Sequence, residues 1–171
     1  MIAKLELKLN TKGVKMELKI GDKAPPFSLQ NQDGAEISLH DFLGSFVVLY
    51  FYPKDKTPGC TTEACDFRDN LSDFNALNAV VLGISPDSVK SHLSFIEKES
   101  LNFTLLSDID KKALKSYGAW GLKKMYGKEY EGVIRSTFLI NKEGKIAYMW
   151  KSVKVKGHVE EVKKVLESLQ N

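Results

Sequence analysis

Arginine is almost missing from this chain, and cysteine is nearly so. Of 25 basic residues only Arg68 and Arg135 are arginine, the rest being lysine; cysteine occurs twice, as Cys60 and Cys65, and histidine three times. Two cysteines cannot build the disulfide framework of a small secreted domain. They also fall short of the four ligands of a structural zinc site, and His40, His92 and His158 stand at no ligand spacing, so no metal is expected. A Cys-x-x-Cys dithiol is absent. Long hydrophobic runs are absent too: the longest, Phe46 to Tyr52, is far short of the ~20 residues of a membrane helix. A net charge of +3, from 25 basic and 22 acidic residues, lacks the basic excess of a nucleic-acid binder. The opening "MIAKLELKLN" alternates charged and apolar residues and holds no apolar core of a secretory leader. The expectation is a protein of the reducing cytoplasm, where a close pair of thiols points to redox chemistry or metal binding.

What is present suits one domain with a real core. The 171 residues are 43% hydrophobic and 27% charged, an ordinary soluble composition. Period-two alternation over 3–9 and again over Val14, Met16, Leu18 and Ile20, with "NTKG" between, predicts a hairpin at 2–20. Met16 opens a natural domain start, so residues 1–15 are expected to be an added strand and 16–171 the domain proper. "GSFVVLYFY" (44–52) reads as a strand buried on both faces. Residues 61–77 carry Ala64, Phe67, Leu71, Phe74 and Leu77 at helical spacing. A second buried strand (78–85), a helix opened by Ser-Pro-Asp (85–100), a short strand "NFTLLSD" and a helix ending at Gly118 follow. Residues 119–132 read as an aromatic, glycine-punctuated loop. Residues 133–150 read as two strands joined by an Asn-Lys-Glu-Gly turn, and 157–170 as a closing amphipathic helix. Such an order predicts a mixed sheet flanked by helices, compatible with a thioredoxin-like core.

Both thiols lie in "PKDKTPGCTTEAC" (53–65). Cys60 follows a Thr-Pro-Gly turn at the start of a helix, where free N–H groups and the helix dipole favour a thiolate. Lys54 and Lys56 add positive potential; Asp55, Glu63 and Asp66 oppose it. Cys60 is thus a nucleophile candidate, a buried structural cysteine being the other reading. On an ideal helix, residues five apart have Cα atoms roughly 8.6 Å apart, whereas disulfides rarely tolerate more than about 7 Å. A static bond between Cys60 and Cys65 is therefore not expected. A transient one requires the first turns of the helix to unwind. Cys65 as a plain apolar helix residue is the alternative.

The segments "FYPKDKTPGCTTEACDFRD" (51–69), "KKMYGKEYEGVIRSTFLINKEGKI" (123–146) and "IGDKAPPFSLQNQDG" (20–34) resemble the peroxiredoxins, and within them the bacterioferritin comigratory protein, or peroxiredoxin Q, group. The likeness spans about residues 16–170. Its most specific element is Pro-x-x-x-Thr-x-x-Cys, here Pro53, Thr57 and Cys60, with Arg135 on a later strand. The resemblance implies a thioredoxin-like fold and a thiol peroxidase acting on hydrogen peroxide and organic hydroperoxides, with no cofactor. It makes Cys60 the peroxidatic cysteine, whose thiolate attacks a peroxide oxygen and becomes a sulfenic acid. Thr57 would position the peroxide through its hydroxyl. Arg135 would steady the thiolate and the charge developing along the O–O bond, and Pro53 would shield the sulfur from water. Glu63 matches an acidic residue that orients the arginine. Cys65 matches the resolving cysteine, which closes an internal disulfide that a thioredoxin-like reductant reopens by exchange. The segment around Trp120, Met125 and Tyr126 resembles one wall of the active site, simple packing being an equal reading. A monomer is expected, with a dimer as the alternative if the N-terminal strand pairs across a two-fold axis.

Two other functions are weighed against this. A thiol-disulfide oxidoreductase on the same core would call for the missing Cys-x-x-Cys. A redox chaperone or interaction module has no such requirement, since fold alone does not assign function.

Overall fold

The computed structural model describes residues 17–170. In chain order the elements are β1 (Ser28–Asn31), β2 (Glu36–Ser38), a 3-10 turn (Leu39–Phe42), β3 (Phe46–Phe51), α1 (Pro58–Asp69), α2 (Leu71–Ala76), β4 (Ala79–Ser85) and α3 (Val89–Glu99). They continue with β5 (Thr104–Ser107), α4 (Lys112–Ser116), β6 (Trp120–Met125), β7 (Lys128–Val133), β8 (Ser136–Ile140), β9 (Ile146–Trp150) and α5 (His158–Ser168). Seven strands form one sheet in the order β2-β1-β5-β4-β3-β8-β9. The β3–β4 and β4–β5 pairs are parallel, and the others antiparallel. The expected mixed sheet with helices on both faces is therefore the architecture found.

Strand β3 explains why the sheet needs two covers. Every residue of it is buried, and successive side chains point to opposite faces. Phe46, Val48 and Tyr50 face one core with Phe67, Phe74, Phe95, Val162 and Leu166, contributed by α1, α2, α3 and α5. Val47, Leu49 and Phe51 face the other with Phe138, Leu114 and Tyr117. The long helices begin where local chemistry allows. Pro58 takes the first position of α1, where its missing N–H costs nothing, and the Ser88 hydroxyl accepts from the Ser91 amide at 3.1 Å to cap α3.

Three expectations need correction, and a fourth falls almost wholly outside the described residues. The hairpin over 2–20 lies outside the described residues except for 17–20, which form no strand. The helix expected over 61–77 starts earlier, at Pro58, and is two helices broken at Asn70, whose ψ of 6° departs from the helical value. Residues 119–132 are not a loop: β6 and β7 pair as an antiparallel hairpin with Trp120 opposite Val133 and Met125 opposite Lys128. Its turn residues Tyr126 and Gly127 both have positive φ, 51° and 78°, as a type I′ turn demands. Most of its residues are solvated on both faces, so no apolar alternation marks it in sequence. Arg135, finally, is not inside a strand but in the two-residue break between β7 and β8. Strands β1 and β2, four and three residues long and partly exposed, were too short and polar to be expected.

Candidate active site

The loop between β3 and α1 delivers Pro53 and Thr57 to the sheet's carboxyl end and is pinned from beneath by Asp55. Tyr52 donates its hydroxyl to Asp55 Oδ1 at 2.6 Å. Ser91 Oγ and His92 Nδ1 both meet Oδ2 at 2.8 Å. The Asp55 amide donates to Asp87 Oδ2 at 2.9 Å. His92 is fully buried, and its Nε2 faces the Leu106 carbonyl oxygen at 3.0 Å. Each ring nitrogen thus meets an oxygen of another residue. Burial works against the Asp55 charge, but hydrogen bonds and charge from His92, with Tyr52 and Ser91, bring its carboxyl below the usual range. The fold therefore gathers a histidine that the sequence reading left scattered. Asp55, Asp87 and His92 bring one ligand atom each within 4.8 Å of one another, but these contacts already engage both Asp55 oxygens, both His92 nitrogens and Asp87 Oδ2, which also accepts from Ser85 Oγ at 2.7 Å.

Cys60 is the third residue of α1 and is buried. Arg135 reaches it from the β7–β8 break: Nη2 donates to Cys60 Sγ at 3.4 Å, while Nη1 donates to Glu63 Oε1 at 2.6 Å. One planar fork thus spans the sulfur and a carboxylate one helical turn further on, which lysine cannot do with a single nitrogen. The backbone under the fork is tied at both sides, Ile134 N to Ala119 O at 2.7 Å and Val153 N to Arg135 O at 2.9 Å. Glu63 is fully buried, and its Oε2 has no partner among the described residues. Burial drives its carboxyl up to about 7, with the Arg135 charge and hydrogen bond pulling the other way. Gly59 is the residue that lets the fork in: a Cβ there would stand 3.3 Å from Arg135 Nη2.

Thr57 caps α1 by backbone geometry alone, its side chain making no capping bond. Its hydroxyl donates to the Lys54 carbonyl at 2.8 Å, which commits its proton and leaves the oxygen able to act as an acceptor. Pro53 is half-buried at the head of the loop. Cys65 is on the same helix, half-buried, and both thiols are free. Its Sγ donates to Glu99 Oε2 at 3.7 Å. Burial raises the Cys65 thiol, with Arg68 opposing and Glu99 and Asp69 adding to the rise. Of the residues compared with an active-site wall, Tyr126 at the hairpin tip is 99% exposed and Met125 55%. Only Trp120 packs inward, with Lys111 Nζ 4.8 Å from its ring centroid. Sequence reading thus found Cys60, Arg135 and Glu63 together, but it missed Gly59 and the Asp55–His92 pin. Asp55 sits inside the quoted motif and was a signal; His92 had none.

The AhpC/TSA family model matches residues 20–149. Peroxiredoxin Bcp of Bacillus subtilis is 51% identical over 154 residues, 90% of this chain and 98% of the relative. Among solved structures, a PrxQ mutant from Xylella fastidiosa superposes with TM-score 0.86 at 40% identity, covering 92% of this chain and 100% of its own. A bacterioferritin comigratory protein from Xanthomonas campestris, described for its alkyl peroxide reduction, superposes at 0.81 with 41% identity over 85% and 92%.

Proposed function

The chain belongs to the AhpC/TSA family, among the Bcp or PrxQ peroxiredoxins, and within that thiol peroxidase family we propose that Cys60 is its peroxidatic and Cys65 its resolving cysteine. The observation that carries the reading is the Arg135 fork, which donates to the sulfur at the N-terminal turn of α1. Both the fork and the helix terminus favour negative charge on Sγ.

In the first step the Cys60 thiolate attacks one peroxide oxygen. An S–O bond forms, the O–O bond breaks, and the departing oxygen takes from solvent a proton equivalent to the one Cys60 gave up on ionising, leaving as water or alcohol. Thr57, its own proton committed to Lys54, accepts the peroxide hydrogen and aligns the O–O axis with the sulfur. Arg135 meets the charge developing on the departing oxygen. Pro53 limits water at the loop. In the second step Cys65 attacks the Cys60 sulfenic sulfur, a disulfide forms and water leaves. A thioredoxin-type dithiol then restores both thiols by exchange.

Intact mass before and after one equivalent of peroxide tests this. The expected result is loss of two hydrogens in the wild type, none in Cys60→Ser, and an added oxygen in Cys65→Ser. A Cys60→Ser variant with full peroxidase activity rejects the assignment. Hydrogen peroxide and organic hydroperoxides are the proposed substrates, the alkyl activity described for the Xanthomonas relative supporting the second. We take residues 16–171 as the peroxiredoxin domain, supported by the family match over 20–149. No helix among the described residues is long and apolar enough to cross a membrane.

A further inference from the structure

We propose that Glu99 is a positioning residue for the resolving step: its carboxylate keeps the Cys65 thiol protonated and docked on the intact α1, and so governs when that sulfur reaches Cys60. This rests on reading Cys65 as the resolving cysteine.

Glu99 is the last residue of α3, brought beside the middle of α1. Cys65 Sγ donates to its Oε2 at 3.7 Å. Arg68, one turn beyond Cys65, donates Nη1 to the Glu99 backbone carbonyl and so ties the end of α3 to α1. Asn102 Nδ2 donates to the Arg68 carbonyl at 3.3 Å from the following segment. Each of the chain's two arginines thus serves one cysteine, Arg135 directly and Arg68 through the seat of Glu99. The charged groups around Cys65 are Arg68 and Asp69 on its own helix and Glu99 from α3.

A carboxylate distinguishes sharply between the two forms of a thiol. It accepts a hydrogen bond from S–H and repels S⁻. Docked at Glu99, Cys65 is therefore held as the weaker nucleophile. Reaching Cys60 requires α1 to unwind, because the helix separates the two Cα atoms by roughly 8.6 Å. Leaving Glu99 removes both the acceptor and its negative charge, so the thiol ionises more readily as it approaches its target. The Cys65 thiolate then attacks the sulfenic sulfur. The S–S bond forms, the S–O bond breaks, and the departing hydroxide combines with the proton Cys65 has released, giving water without any outside reductant. A firmer hold on Cys65 prolongs the sulfenic acid and its exposure to a second peroxide.

The contact is measured in a Cys60→Ser background, where the pH dependence of alkylation by iodoacetamide, followed by intact mass, reports Cys65 alone. Glu99→Gln is expected to move the titration midpoint down by about one pH unit, a tenfold gain in thiolate at fixed pH, and Arg68→Gln to move it up. Mere loosening of the packing would move both down, so shifts of the same sign, or no shift with Glu99→Gln, overturn the proposal. Glu97→Gln, exposed on the same helix, should leave the midpoint in place. With both cysteines present, Glu99→Gln is expected to shorten several-fold the interval between peroxide consumption and disulfide formation, followed by rapid quench and mass. An unchanged interval overturns the role. A wild type that forms no Cys60–Cys65 bond overturns the resolving assignment itself, and the Cys60→Ser titration distinguishes that failure from a missing Glu99 contact.

Discussion

Arg135 was visible in the sequence because the resemblance to the peroxiredoxins points to it, and the scarcity of arginine gives its position weight. What scarcity could not reveal is that its two terminal nitrogens divide their work, one to Cys60 and one to Glu63. Arg135→Lys keeps the charge and loses that division. We expect a fall of about 10²- to 10³-fold in the second-order rate constant for peroxide, read by stopped-flow consumption; a rate within a few-fold of wild type would reject the two-point role. Gly59→Ala tests the approach to the fork. With φ outside the left-handed region, alanine is tolerated by the backbone, yet its Cβ meets Arg135 Nη2 at 3.3 Å. The expected outcome is a rate lowered about tenfold with a melting temperature unchanged or raised. Loss of both rate and stability would instead mean that Gly59 serves the helix.

Between β3 and α1 the loop is short, and its geometry rests on one buried carboxylate. Asp55→Asn removes the charge opposite His92 and is expected to cost about 3 kcal/mol in urea unfolding, with a slower peroxide reaction because Thr57 loses its support. Full stability in this variant would show that the loop is held by its backbone alone. The proposed Cys60–Cys65 bond makes helix α1 the element expected to change shape. Amides over 60–66 should be protected in the reduced protein and exchange faster after one equivalent of peroxide, as hydrogen exchange with mass detection can follow. Equal protection in both redox states would rule out unwinding. The element reading succeeded where burial imposes a pattern, as in β3 and β4. It failed at β6–β7, where residues solvated on both faces leave no apolar trace and the Tyr126-Gly127 turn lacks the usual Asn-Gly mark.

Across the whole molecule, buried titrating groups tie stability to pH. His158 opens α5 almost fully buried, its Nε2 2.8 Å from Thr137 Oγ1 and its ring edge-on to Trp150. Burial lowers it from 6.5 to about 4, with Glu161 opposing and Arg135 assisting. The unfolded chain takes up this proton near pH 6.5 and the folded chain resists it. The contribution is therefore complete above about 6.5 and lost as pH falls toward 4, roughly 3 kcal/mol in all. Asp55, held below its usual range, is lost in the same direction at lower pH. Glu63, raised to about 7, contributes oppositely: its share is present at low pH and lost as pH rises through 7. His158→Gln isolates the first effect. Its stability difference from wild type should shrink by about 3 kcal/mol between pH 7 and 4 in chemical unfolding, and a constant difference would refute the assignment.

Two thiols five residues apart after a Pro-Gly turn pointed to redox chemistry and the order of buried strands and helices to a mixed sheet, while the resemblance of the segments around Cys60 and Arg135 to the peroxiredoxins supplied the peroxidase reading. Local pattern carries such information because helix phase, strand alternation and turn residues act over a few positions. Which groups meet across the molecule was decided only by the tertiary structure. The fork on Cys60 and Glu63, the Asp55–His92 pin and the seat of Cys65 on Glu99 each join residues more than thirty positions apart. Charge and hydrogen bonding act through distance in space, and sequence separation places no limit on that distance once the sheet has formed.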